Sequence, residues 1–329
     1  MAKDLHIDSL VRENVRQLRP YASARDEYSG SASVFLDANE NPIAAPLNRY
    51  PDPTQAALKE KVASLKGVKS GQLFLGNGSD EAIDLLFRIF CDPGKDQVIT
   101  VDPTYGMYGV CADINAVERK AVLLNPDFSL DAERVVEAVN SRTKLIFLCS
   151  PNNPTSNSLD RNAMLRLVES VSCMVVVDEA YMDFSAQSSL LNELEGHPNL
   201  VVLQTFSKAW GLAGIRLGMA FAHPRIIGYL SSIKYPYNVN SLTMKRAMEA
   251  MDHAPATLKM IDVILEQRNW LAQRLKGFSF VEKVFPSDAN FLLIRVQDPL
   301  KTYNYLMKQG IIVRDRSRVP LCEGCLRIT

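Results

Sequence analysis

Between about residues 70 and 222, short apolar runs alternate with amphipathic stretches. The runs are residues 73–75, 97–101, 145–149, 173–177, 200–203 and 217–221. Several are apolar at every position instead of every second one, as in strands covered by helices on both faces. The alternation therefore predicts βα units on a mostly parallel sheet. Helices are expected at 80–90, 131–139 and 160–171, each opened by an aspartate that can accept from free N–H groups or complement the positive helix end. After Pro236 the pattern changes. A long helical stretch, about 241–276 and interrupted at Pro255, could bridge two domains. It is followed by a strand at 290–296, a helix at 299–309 and a short strand at 311–313. The fold class is thus α/β, a large domain with a mostly parallel sheet covered by helices, plus a smaller α+β domain. The expected division is an N-terminal segment, 1–45, packing on the smaller unit, a large domain, 46–255, and a small domain, 256–329.

A chain of 329 residues suits one large and one small domain, and its composition narrows the function classes. Lysine and arginine together number 37, as do aspartate and glutamate, so no global field attracts nucleic acid or an anionic membrane. Any anion site must be local. The longest apolar runs are strand length, too short to span a bilayer, and the polar N-terminus lacks the apolar region of a secretory signal. A cytoplasmic protein is expected. The six cysteines sit mostly in apolar stretches and read as buried reduced thiols. Cys322 and Cys325 have Cys-x-x-Cys spacing, but no second pair or flanking histidine accompanies them, so they read as an incidental loop pair. His6, His197, His223 and His253 are scattered, without paired ligand spacing, and no metal site is expected. Arg12, Arg16 and Arg19 make a small basic N-terminal patch, read as a solvated helix face.

Four places carry candidate chemistry. At Leu75-Gly76-Asn77-Gly78-Ser79-Asp80 an apolar strand enters a glycine-bearing turn and a helix, which makes either an anion cradle of backbone N–H groups or a plain tight turn. It is not a dinucleotide fingerprint, because the third glycine would fall at Glu81. Cys149-Ser150-Pro151-Asn152-Asn153-Pro154-Thr155 follows a strand at the end where open α/β sheets bind ligands, and is either a binding loop or a turn. Asp178 ends a strand that looks buried on both faces, and a buried carboxylate needs a partner: a metal, an arginine or a protonated ring nitrogen. Lys208 lies just past another apolar strand, among hydroxyls and glycines. It is a Schiff-base nucleophile if desolvation lowers its pKa, with Thr205, Ser207 and Arg216 placed to hold a phosphate, or else a surface lysine. One cofactor with a phosphate, a ring nitrogen and an aldehyde explains all four places, and that cofactor is pyridoxal phosphate.

With these residues in view, the chain resembles the fold-type I pyridoxal-phosphate aminotransferases over nearly its whole length. The motifs are Pro20-Tyr21, Asn39-Glu40-Asn41-Pro42, Arg49-Tyr50-Pro51-Asp52-Pro53, Gly76-Asn77-Gly78-Ser79-Asp80-Glu81, Pro103-Thr104-Tyr105-Gly106-Met107-Tyr108, the Asn153 loop, Asp178 to Tyr181, the Lys208 segment, and Arg314 with Leu326-Arg327-Ile328-Thr329. The resemblance implies that Lys208 is the Schiff-base lysine and proton shuttle, and that Asp178 pairs with the pyridinium nitrogen. It implies that Asn153 and Tyr181 bond the ring's phenolate oxygen, that Tyr105 stacks on the ring, and that Gly78, Ser79, Asp80, Thr205, Ser207 and Arg216 form the phosphate site. Tyr50 would reach the cofactor phosphate of a partner subunit, so a homodimer with shared sites is implied. Arg327 would clamp the substrate anion, helped by Arg314, Tyr21 and Asn39.

The reaction implied is transamination of L-histidinol phosphate with 2-oxoglutarate, giving imidazole acetol phosphate and glutamate in histidine biosynthesis. A guanidinium fork suits both the phosphate of one substrate and the carboxylate of the other. An aromatic aminotransferase or a threonine-phosphate decarboxylase would share every cofactor residue, and a catalytically silent binding protein could keep the fold. Two departures stand out. Ser156 occupies a position where the family usually has glycine, so strain is expected if the turn needs a positive φ. The family also continues past the arginine clamp through a further strand segment and a final helix, so the small domain is expected to be truncated at Thr329.

Overall fold

The computed structural model describes residues 6–21, 33–43 and 47–329. The helices are α1 (Ile7–Leu10), α2 (Glu13–Arg16), α3 (Ala56–Lys66), α4 (Gly78–Phe90), α5 (Met107–Ile114), α6 (Ala132–Ala138), α7 (Arg161–Ser170), α8 (Pro224–Ile233), α9 (Ser241–Asp252), α10 (Ala254–Leu275) and α11 (Pro299–Lys308). The large sheet holds β1 (Leu73–Asn77), β2 (Gln97–Asp102), β3 (Glu118–Leu123), β4 (Thr143–Cys149), β5 (Met174–Asp178), β6 (Leu200–Thr205) and β7 (Leu217–Ala222). Its strand order is β1-β7-β6-β5-β4-β2-β3, with β7 alone running antiparallel to its neighbours. The wholly apolar runs are its central strands. β5 and β6 are buried at every position, because helices cover both faces. Two of the three aspartates foreseen at helix starts cap their helices: Asp131 accepts from the Arg134 N–H and Asp160 from the Ala163 N–H. Asp80 lies within the first turn of α4 instead.

The smaller sheet is antiparallel, in the order β10-β11-β9-β8, from β8 (Val281–Val284), β9 (Leu292–Val296), β10 (Arg314–Asp315) and β11 (Cys325–Ile328). The strand expected at 311–313 is not formed; pairing begins at Arg314, opposite Arg327. Pro255 opens α10, so the expected interruption is a junction between two helices. Ile261, Ile264 and Leu265 of α10 pack into the core of the large sheet, whereas Leu271 and Leu275 pack beneath the small sheet. This helix bridges the two units. Phe285, Phe291 and Leu293 join the large core from the small unit, so the face between the sheets is apolar and continuous.

The N-terminal stretch departs from expectation. Ile7, Val11 and Val15 are buried against α4 and α8 of the large unit, and Arg12 pairs with Asp92 at 3.0 Å and donates to the Arg88 carbonyl. Residues 7–16 therefore sit on the large unit, not the small one, because their apolar positions meet the outer face of the α4 and α8 layer. The boundary expected at 45/46 lies outside the described residues. All six cysteines are free and buried. Among the described residues no helix is long and apolar enough to cross a membrane.

Candidate active site

A cleft of about 660 Å³ opens at the C-terminal ends of the parallel strands, between the large sheet and β10–β11. At one end lies the turn from β1 into α4. Gly78 has φ +71°, and its N–H donates to the carbonyl of Arg216 at 2.8 Å. A Cβ on Gly78 would come 2.8 Å from the Arg216 guanidinium. A Cβ on Gly218 would come 2.1 Å from the backbone of Gly78 and Ser79. Glycine at 218 lets β7 and the start of α4 approach so closely, and glycine at 78 suits the positive φ of the turn. The Gly78 N–H is taken by the Arg216 carbonyl, while the Ser79 and Asp80 N–H groups, in the first helical turn, have no carbonyl partner within the helix and give a positive, donor-rich rim to the cleft.

Arg216, itself in the left-handed region with φ +55°, reaches Asp80 at 3.4 Å, and Tyr105 Oη donates to the same carboxylate at 3.1 Å. Thr205 Oγ1 accepts from the Ser207 N–H at 3.1 Å, which fixes the turn that carries Ser207 and Lys208 into the cleft. Helix terminus, hydroxyls and guanidinium thus converge on one end of the cleft.

The acidic pair that ends β5 divides between two environments. Asp178 faces the cleft and accepts from Tyr108 Oη at 2.8 Å and from the Ala180 N–H at 3.0 Å. Burial pushes its pKa up to about 6, against the pull of those two hydrogen bonds. Glu179 points into the core, where Ser189, Leu190 and Gln204 occupy its oxygens. Lys208 Nζ lies 5.5 Å from the centre of the Tyr181 ring. Burial holds its pKa below the usual lysine value, the Arg327 charge lowers it further, and Asp178 and Asp80 oppose both. A larger share of neutral amine follows.

The Asn153 loop is held by side-chain hydrogen bonds. Asn152 donates to the Pro103 carbonyl at 2.8 Å and to Thr155 at 2.7 Å, and both X–Pro bonds of the loop are cis. Ser156 adopts φ +67°, so the condition under which strain was expected there is met. Its hydroxyl is also within hydrogen-bond reach of the Pro286 carbonyl at 3.1 Å, tying the loop to the small unit. Asn153 Oδ1 accepts from Arg327 Nη1 at 2.6 Å. Arg327 stacks over Phe291 with its guanidinium carbon 5.2 Å from the ring centre, and Tyr181 meets the same ring edge-on. Arg314, its cross-strand partner, lines the same wall.

Every expected cofactor residue except Tyr50 lines this one cleft, as do Arg314 and Arg327. Asn39 and Tyr50 lie elsewhere, in an open depression of about 460 Å³ shared with Leu47 and Leu242, where Tyr50 stacks on Tyr237 at 4.4 Å. Tyr21 is 74% exposed and does not line the cleft. Two residues were not foreseen as functional: Arg316, which lines the cleft, and Tyr108, which is fully buried and bonds to Asp178. Tyr108 belongs to a quoted motif, but nothing in the sequence says that its hydroxyl points at Asp178. Arg316 stands two residues after Arg314, and strand alternation is the signal that places both on one face.

A sequence model of the aminotransferase class I and II family matches residues 27–329. The chain belongs to this family. The family's histidinol-phosphate aminotransferase of Parabacteroides distasonis is 57% identical over 327 residues, which are 99% of this chain and 94% of that protein. The enzyme of the same name from Flavobacterium johnsoniae is 51% identical, over 98% of this chain and 93% of its own length. Among solved structures, a histidinol-phosphate aminotransferase from Sinorhizobium meliloti in complex with pyridoxal-5'-phosphate superposes with TM-score 0.78 at 23% identity, covering 85% of this chain and 78% of that one. The fold is therefore that of these enzymes. L-threonine-O-3-phosphate decarboxylase from Porphyromonas gingivalis superposes with TM-score 0.73 at 25% identity, covering 86% of each chain.

Proposed function

We propose that this chain transfers the amino group of L-histidinol phosphate to 2-oxoglutarate, using pyridoxal 5'-phosphate. The residues fit that cofactor. The turn into α4 offers the Ser79 and Asp80 N–H groups to a phosphate, Asp178 offers a buried carboxylate for a protonated ring nitrogen, and Lys208 offers an amine for an aldehyde. When bound, the cofactor supplies an electron sink for the carbon that loses its proton. The single observation that carries the reading is the 2.6 Å bond between Arg327 and Asn153. It sets the anion-binding guanidinium beside the cofactor-facing loop and on the same cleft as Lys208.

Each residue then has a task. Ser79, Ser207 and Arg216 anchor the phosphate end, and Tyr105 lies on the cleft wall where a ring would stack. Asn153 and Tyr181, both on the cleft wall, would hold the ring's oxygen by hydrogen bonds. Lys208 Nζ takes the proton from the substrate carbon that carries the amino group and returns it across the transfer. Its lowered pKa suits an amine that must accept a proton near neutral pH. Arg327 and Arg314 hold the substrate phosphate in one half-reaction and a carboxylate of glutamate in the other.

The working unit is a homodimer in the cytoplasm. Leu47 and Leu242, each at least 59% exposed, line the depression that holds Tyr50 and Asn39, and an apolar surface of this kind supports a partner subunit there. Tyr50 then reaches the partner's cofactor phosphate, and Tyr21 and Asn39 complete the substrate site only in the dimer. The structural likeness to a threonine-phosphate decarboxylase favours that activity as the second reading, because both substrates carry a phosphate.

The test is Lys208→Ala. The variant should lose transamination and should no longer retain cofactor covalently after borohydride reduction. Retention at the level of the unmodified protein contradicts the assignment.

A further inference from the structure

β10 and β11 pair antiparallel with Arg314 opposite Arg327, and the ladder continues where the Arg316 N–H donates to the Cys325 carbonyl at 2.9 Å. Residues two apart on a strand share a face, so Arg314, Arg316 and Arg327 all line the cleft. The intervening Asp315 is not on that wall; its carboxylate accepts from the Ser317 N–H at 2.9 Å. No carboxylate forms an ion pair with any of the three arginines among the described residues. The acids of the cleft, Asp80 and Asp178, are both engaged at the cofactor end, with Arg216 and Tyr105 or with Tyr108.

Like charges facing each other across a strand pair destabilise it, and here a third is added on the diagonal. The Nε groups of Arg316 and Arg327 are buried without a hydrogen-bond partner. Burial and the neighbouring arginines also hold the Arg316 pKa below its usual value. A protein bears such an uncompensated cluster where an anion with several oxygens completes it. One guanidinium fork is enough for a carboxylate, while a phosphate dianion can occupy three.

We propose that Arg316 is a substrate-binding residue that sets preference for a phosphate-bearing amine over one bearing a single carboxylate. This deepens the reading above and rests on it for the identity of the amine.

The experiment compares holoenzyme with its Arg316→Met and Arg316→Lys variants on L-histidinol phosphate, histidinol and phenylalanine, with inorganic phosphate as competitive inhibitor. Arg316→Met should raise KM for histidinol phosphate about tenfold or more while kcat changes less than about twofold, and should weaken phosphate inhibition to a similar degree. Histidinol and phenylalanine, which carry no phosphate, should keep their KM, and Arg316→Lys should recover part of the loss. An unchanged KM for histidinol phosphate together with unchanged phosphate inhibition overturns the proposal, as does an equal loss on all three amines. If the unmodified enzyme does not use histidinol phosphate, the substrate reading falls by itself. Phosphate inhibition of the amine it does use then decides the role of Arg316: weakened in Arg316→Met supports it, unchanged overturns it.

Discussion

Tyr108 Oη donates a 2.8 Å hydrogen bond to Oδ2 of Asp178, and this bond works against the burial that raises the acid's pKa to about 6. Tyr108 is fully buried and stacked on Phe147 at 4.7 Å, so its hydroxyl is held in place. By stabilising the carboxylate, it keeps Asp178 ionised at neutral pH and able to pair with a cationic ring nitrogen. Tyr108→Phe removes the bond and keeps the ring. Transamination at pH 7.5 should fall about tenfold, the scale of one hydrogen bond to a charged group, and the acidic limb of the pH–rate profile should move toward neutral pH. A loss of equal size at every pH would indicate a packing defect instead.

The same carboxylate makes the cofactor-free protein's stability depend on pH. Its folded pKa, about 6, lies above the ordinary value of 3.8, so the folded state binds the proton more tightly than the unfolded chain does. Stability contributed by the protonated form is present below about pH 4 and is lost as pH rises through 6. Asp178→Asn cannot ionise. The melting temperature of the cofactor-free variant relative to wild type should therefore be higher at pH 7.5 than at pH 4. Thermal melts at the two pH values check this, and a difference that does not change with pH contradicts it.

Gly218 tests the phosphate cradle. A Cβ there would lie 2.1 Å from the backbone of both Gly78 and Ser79, a contact relieved only if the start of α4 moves. Gly218→Ala should weaken pyridoxal phosphate binding about tenfold or more in a fluorescence titration, since the N–H groups of that turn lose their aim. Unchanged affinity would mean that the close approach is unrelated to the cofactor.

How much of this was legible in the sequence depended on which residues carried the signal. The central strands were readable because two covered faces demand unbroken apolar runs. The edge strand Glu118–Leu123 was not, since five of its six residues are exposed and its first three are charged. β8 escaped for the same reason, and β10 is only two residues long. At the site, Lys208, Asp178 and Asn153 were found because each stands at or just past the end of a strand, and Arg216 because it lies in the glycine-bearing segment after Lys208. That Asp178 rather than Glu179 faces the cleft depends on pleat direction and on which acid finds Ser189 and Gln204 in the core. The Tyr108 bond and the Arg316 wall arise from tertiary contact alone. Ser156 lay between these cases: its departure from glycine raised the question of a positive φ, which is present, but gave no sign of the contact of its hydroxyl with the Pro286 carbonyl across the two units.

The central claim is that this cleft removes the amino group of a phosphate-bearing amine. The most direct test mixes holoenzyme with L-histidinol phosphate in the absence of 2-oxoglutarate and measures products by mass spectrometry. One equivalent of imidazole acetol phosphate per bound cofactor is predicted, with further turnover only after 2-oxoglutarate is added. No keto product from histidinol phosphate, alongside phenylpyruvate from phenylalanine or carbon dioxide from threonine phosphate, would contradict the account.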